Sequence, residues 1–203
     1  MQRLQPLFFR IDAISTRIGQ TFSWLMVPLT LMICYEVFAR YFLNQAHAWA
    51  FDVQMMLYGS VFMMAGAYTL AKSGHVRGDI LYGFLTSRQQ AIIDLILYIV
   101  FFLPGVAALV YAGILFAGES WAIQEHSSIT ADGPPIYPFK TIIPLAGGLL
   151  MLQGIVEILR CVLCIQTGEW PSRERDVEEV DVEALREMVH ADDIVESNTQ
   201  AAR

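Results

Sequence analysis

Histidine, cysteine and well-placed charge are all scarce in this chain, and each shortage removes a class of function. The four histidines, His47, His75, His126 and His190, lie outside the apolar runs, so a haem ligated by two histidines across a membrane is unsupported. Of the three cysteines, Cys161 and Cys164 form a C-x-x-C pair, a spacing compatible with redox chemistry or metal binding. That pair closes an apolar run on the side marked cytoplasmic by the basic residues, a reducing compartment, and there is no second pair. Cys34 lies within another apolar run, towards the opposite face. The sequence has no P-loop, no nucleophile elbow and no H-E-x-x-H. It also lacks the chain of intramembrane acids expected of a proton pump and the paired broken helices of a self-contained secondary transporter.

Net charge is misleading here. The formal −7 resides entirely in the tail from Glu169, which has eleven acids against four arginines, whereas residues 1–168 balance nine against nine. The rest of the chain is therefore neutral, and nothing in it resembles a nucleic-acid surface.

Apolar sequence, by contrast, is abundant: 55% of the 203 residues are hydrophobic. Four runs, Phe22–Phe42, Val53–Leu70, Ala91–Phe116 and Thr141–Leu163, reach the ~18 residues that distinguish a spanning helix from a buried soluble one. Over such lengths in lipid only helices satisfy the backbone, and the alternation of a membrane barrel is absent. The expectation is an all-α integral membrane protein with three parts. Residues 1–21 form an interfacial amphipathic helix, 22–165 a domain of four spans, and 166–203 an acidic, mostly disordered tail with an amphipathic turn or two at Val177–Val189. The first run starts too far from Met1 and lacks a cleavage site, so it reads as retained rather than as a signal peptide.

Lys and Arg placement sets the orientation. Arg3, Arg10 and Arg17 precede the first span, Lys72, Arg77 and Arg88 lie between the second and third, and Arg160, Arg173 and Arg175 end the fourth. Only Arg40 and Lys140 lie on the other side. Both termini are thus expected in the cytoplasm, with residues 43–52 and 117–140 outside. Along the N-terminal segment Leu4, Leu7, Phe8, Ile11, Ile14 and Ile18 recur at helical spacing, while the three arginines repeat every seven residues on another face. Such a helix is expected to lie in the interface with Arg3, Arg10 and Arg17 on lipid headgroups, or else to extend the first span into the cytoplasm.

The candidate polar sites bracket the spans. Pro28 should bend the first span, and Glu36 and Arg40 stand one turn apart in its outer part. A buried pair is either a substrate or ion site or a structural link, and one acid without convergent partners makes a poor cation site. Asp52 opens the second span at the positive end of its dipole, Trp49 is an interfacial anchor, and His47 is expected to be solvated. Gly59, Ser60, Ala65, Gly66 and Ala67 allow close helix packing. In the inner loop His75, Arg77 and Asp79 alternate, but one His and one Asp are too few for a transition metal, so a salt-bridged loop is expected. Pro104–Gly105 should kink the third span. The outer loop carries Trp121, Glu125, Pro134, Pro135, Tyr137 and Lys140, and its length marks it as a surface for a partner or a plain connector.

The pattern R-Y-x-x-N-x-x-x-x-W at Arg40, Tyr41, Asn44 and Trp49 is followed one span later by G-H-V-R-x-D at 74–79. Together with G-P-P-x-Y-P-F-K at 133–140, it resembles the small membrane subunit of tripartite ATP-independent periplasmic (TRAP) transporters. The resemblance covers about residues 10–165. Where the family often has paired acids after the Trp, this chain has Phe51 and Asp52. The resemblance implies a non-enzymatic, cofactor-free subunit of a bacterial inner-membrane importer of organic acids and related solutes, driven by a sodium gradient. Its partners would be a large multi-span transport subunit, which it braces, and a periplasmic solute-binding protein, which it helps to dock. On that basis Glu36, Arg40, Tyr41, Asn44, Trp49, Asp52, His75, Arg77 and Asp79 are candidates for stability or subunit contact, and the outer loop for docking. A thiol–quinone enzyme and an independent small transporter are the rival readings.

Overall fold

The computed structural model describes residues 5–72, 82, 84–129 and 133–171. Arg3, Leu4, the cluster of His75, Arg77 and Asp79, and the Val177–Val189 segment lie outside the described residues. Every regular element among them is helical. α1 (Gln5–Ser23) leads into α2 (Met26–Phe42) through a two-residue break. Pro28 accounts for that break. It has no N–H to offer the Trp24 carbonyl, and its ring crowds that oxygen. The Trp24 carbonyl instead accepts the Val27 N–H at 3.1 Å, while the N–H groups of Trp24 and Leu25 reach back only three residues, to Thr21 and Phe22. The bend expected from Pro28 therefore falls one turn before it.

α3 runs over Ala48–Ala71. α4 (Ser87–Leu97), a π turn (Tyr98–Phe102) and α5 (Leu103–Ala122) form one continuous helix. In the π turn the Leu103 N–H bonds Tyr98, five residues back. This wider turn, just ahead of Pro104, is the form taken by the expected mid-span irregularity, since it relieves the crowding that a proline ring imposes on the preceding turn. α6 (Tyr137–Lys140) and α7 (Ile142–Thr167) complete the chain. Four helical stretches are long and apolar enough to cross a membrane: Gln5–Phe42, Ala48–Ala71, Ser87–Ala122 and Tyr137–Thr167. Each outruns its apolar core at one or both ends, because polar residues flanking a span still continue its hydrogen-bond ladder.

The long helices form an open row rather than a closed bundle. α2 packs on α3, α3 on α7, and α7 on the α4–α5 helix, with no comparable packing of α5 against α2 or α3 among the described residues. Small residues set these contacts, as expected where helices meet in lipid. α3 and α7 run in the same direction, with Gly59 under Phe139 and Gly66 facing Leu150. α5 and α7 run antiparallel, with Gly113 against Pro144, Gly147 against Val110 and Gly154 against Phe102. A Cβ at Gly154 would come within 2.2 Å of the Phe102 ring. Ala91, Cys161 and Cys164 form a small core with Leu95, Tyr98, Ile165 and Trp170. Only 11–39% of each apolar window is buried within the protein, so most of the helical surface is left to lipid or to another protein.

α1 crosses this row at one end. It packs on α3 and α7, and Gly19 sits so close to Tyr68 that a Cβ there would lie 2.5 Å from the Tyr68 Cβ. We call the end carrying α1 and the last turns of α7 proximal. The end carrying the 43–47 turn and the 123–136 loop is distal.

Candidate functional site

At the distal end, α2 is closed by Asn44, which takes a left-handed φ of 52°. Asn is among the few residues with a side chain that tolerate this region, and its turn lets the Gln45 N–H return to the Ala39 carbonyl at 3.1 Å. The chain then brings His47 against Glu36. The buried Glu36 carboxylate accepts the His47 backbone N–H at 3.0 Å, pairs with His47 Nδ1 at 3.1 Å and with Arg40 Nη2 at 3.4 Å. A carboxylate only accepts, so Nδ1 carries the hydrogen. The His47 ring stacks on Tyr35 at 5.7 Å and tilts against Trp49 at 5.9 Å. His47 is thus the centre of the turn rather than a solvated bystander. Arg40, by contrast, is 61% exposed and is the weaker partner. Tyr41 and Trp49 are both exposed at this end, as aromatic anchors are.

The loop that follows α5 is fastened on several sides. Ser127 donates to the buried Asp52 of α3 at 2.7 Å. Its backbone N–H bonds Pro134, the Ile136 N–H bonds Glu125, and His126 pairs with Pro135 in an antiparallel bridge. Glu125 forms an ion pair with Lys140, whose ammonium also lies 3.9 Å from the centre of the Phe116 ring. Trp121 packs edge-on against Tyr137 at 4.5 Å and donates to Thr141 at 2.8 Å. The Lys140 ammonium holds the Glu125 carboxyl below its ordinary value of 4.5. Asp52 lies inside the first turns of α3 rather than opening it, because the helix begins at Ala48. Its work is therefore to tie α3 to this loop.

The proximal end holds a cluster that the residue pattern did not reveal. Arg160 of α7 donates from Nη1 to Glu157 at 2.7 Å and from Nη2 to Asp12 of α1. Gln153 donates to the second Asp12 oxygen at 2.8 Å and accepts from Ser15 at 3.1 Å. Arg160, Gln153 and Glu157 are the three largest fully buried side chains among the described residues. Phe8 covers the guanidinium at 5.8 Å. The available signal was Asp12, Ser15 and Gly19, a polar and small line at i, i+3 and i+7 on α1. The structure also buries Glu36, Asp52 and Asp94, the last of which accepts from Tyr82. These acids lie at the ends of helices, each with its own partners, and do not line up across the membrane. Among the described residues no three His, Cys, Asp or Glu side chains gather as metal ligands. Cys161 and Cys164 are buried and form no disulfide.

The geometry is that of helix fasteners at two ends of a membrane scaffold. A family model described as tripartite ATP-independent periplasmic transporters, DctQ component, matches residues 29–164. The chain belongs to this family. Comparison with curated proteins gives no match. This DctQ chain is accordingly a multi-pass membrane component of a TRAP transporter and not an enzyme, and the family implies a large permease and a binding protein as partners. The match begins at Leu29, just beyond the α1–α2 break, and ends at Cys164. It therefore contains both distal fasteners and all of the α7 side of the proximal cluster. Asp12 and Ser15 lie before it.

Proposed function

We propose that this DctQ subunit braces the large permease in a bacterial inner membrane and offers its distal end, on the periplasmic side, to the solute-binding protein. The complex imports organic acids or related solutes on a sodium gradient, with solute and ion handled by the permease. The single observation that carries the reading is the open row of helices. A row cannot enclose a solute path of its own, and it leaves broad apolar faces that a larger membrane protein can cover. The fastened loop supports the docking role. Trp121, Glu125, Pro134, Pro135, Tyr137 and Lys140 are held by links to three helices, so a docking protein would meet a preorganised surface and lose little entropy in ordering it. Glu36, Arg40, Asn44 and Asp52 serve that surface by fixing the helix ends beneath it. The burial of Cys161 and Cys164 disfavours thiol–quinone chemistry, which needs exposed sulfur.

The test is transport by the intact three-part system carrying paired charge changes in the loop, Glu125→Lys with Lys140→Glu. Assembly should be retained, and uptake should fall because the affinity of the binding protein for the membrane complex falls. Unchanged binding and uptake would remove the docking role.

A further inference from the structure

We propose that α1 is a rigid arm whose exposed face binds the headgroups of anionic phospholipids through Arg10 and Arg17. The inference goes beyond the transport reading and stands independently of it. α1 divides into two faces. Phe8, Asp12 and Ser15 are buried and Gly19 abuts Tyr68; at 100° per residue these four share one side. Leu7, Arg10, Ile14 and Arg17 share the opposite side, and all four are exposed.

The clamp decides the charge of that outer face. Asp12 is the only acid between Gln5 and Ser23. Because it is consumed by Arg160 and Gln153 on the buried side, the exposed face carries two guanidiniums and no opposing carboxylate. The two arginines lie seven residues apart, about 10.5 Å along the helix axis, with Ile14 between them. Cations interleaved with aliphatic side chains on one helix face suit the boundary between headgroups and acyl chains, where the guanidiniums reach phosphate and the aliphatics enter hydrocarbon. The position fits as well. α1 leads directly into the α2 span, and Trp24 at the junction is 74% exposed, as an interfacial tryptophan is. A helix fixed by a buried clamp presents this face without the entropy loss of docking anew, so its lipid contact is that of a preformed site.

The test uses the full-length protein in nanodiscs with a fixed fraction of phosphatidylglycerol in phosphatidylcholine. A fluorophore is placed by Ile14→Cys in a Cys34→Ala background, since Cys161 and Cys164 are buried and escape labelling. Either the anionic or the neutral lipid is brominated, at equal mole fraction of bromine. Quenching at position 14 should be at least about twofold stronger when phosphatidylglycerol carries the bromine, because cations near the surface enrich anionic lipid. The preference should vanish in Arg10→Gln/Arg17→Gln and persist in Arg10→Lys/Arg17→Lys. Equal quenching by the two lipids would overturn the proposal. So would a preference that survives the glutamine pair, which would place the lipid on Lys72 or Arg88, and so would loss of the preference in the lysine pair.

Discussion

Arg160→Met tests the proximal clamp most severely. The guanidinium makes charge-assisted bonds to two carboxylates on two helices, and its side chain is 1% exposed, with Asp12 and Glu157 at 6% and 2%. Methionine replaces its volume and apolar stem but leaves both acids buried without their cation. Breaking a buried pair in this way costs about 3–5 kcal/mol, mostly the desolvation of the charge left behind. For a chain of this size each kcal/mol moves the midpoint by roughly 2–4 °C, so thermal unfolding in detergent should shift down by on the order of 10 °C. The neutral combination Arg160→Met/Asp12→Asn/Glu157→Gln should recover most of that loss, because the penalty belongs to the orphaned charges rather than to the missing contacts. Arg160→Lys should fall between, since a point charge cannot fork to both acids. A loss below about 1 kcal/mol in the single variant, or no recovery in the triple, would refute the reasoning that these charges are buried and mutually dependent.

Other perturbations read the remaining contacts. Asp52→Ala and Ser127→Ala should each make the loop around Ser127 more susceptible to protease, and the double variant should fall short of the sum of the two, because both break the bond they share. His47→Ala should destabilise the α2–α3 turn more than Arg40→Ala, by about 1–3 kcal/mol in a thermal melt, since the buried Glu36 then loses its imidazole partner and keeps only the backbone N–H of residue 47 and the exposed Arg40. Gly154→Leu should prevent α5 from closing on α7 and reduce the yield of folded protein, whereas Gly148→Leu, where the space is open, should be tolerated. The Glu125–Lys140 tie has a defined pH dependence. A carboxyl held below 4.5 contributes stability in full above that value and loses it as pH falls through the lower folded value, so loop protection in hydrogen exchange should persist at pH 5 and decline only in stronger acid.

What was legible in the sequence followed local periodicity. The four spans, the Glu36–Arg40 pair and the disturbances at Pro28 and Pro104 arise from spacings within a few residues, and hydropathy or proline geometry expresses them directly. The form of those disturbances was less legible: the break falls at Trp24 and Leu25, and the third span absorbs Pro104 by a π turn. Least legible were partners far apart in sequence. Nothing local joins Asp12 to Arg160 or Asp52 to Ser127, and an aspartate among arginines on an amphipathic helix looks like surface until α7 supplies its partner. In sequence the apolar stripe of α1 forms one face, yet Phe8 is buried while Leu7 and Ile14 are exposed, because the helix packs through a line that includes polar residues. The hairpin motif was visible, but the central place of His47 in it depends on Asn44 turning the chain back onto Glu36.

The most direct test of the account is isolation of the tagged full-length chain from its native membrane in mild detergent. An open row of helices with most of its apolar surface unburied predicts that a large multi-span protein is recovered with it in stoichiometric amount. Recovery of the chain alone, together with solute uptake by that chain reconstituted without any partner, would contradict the bracing role.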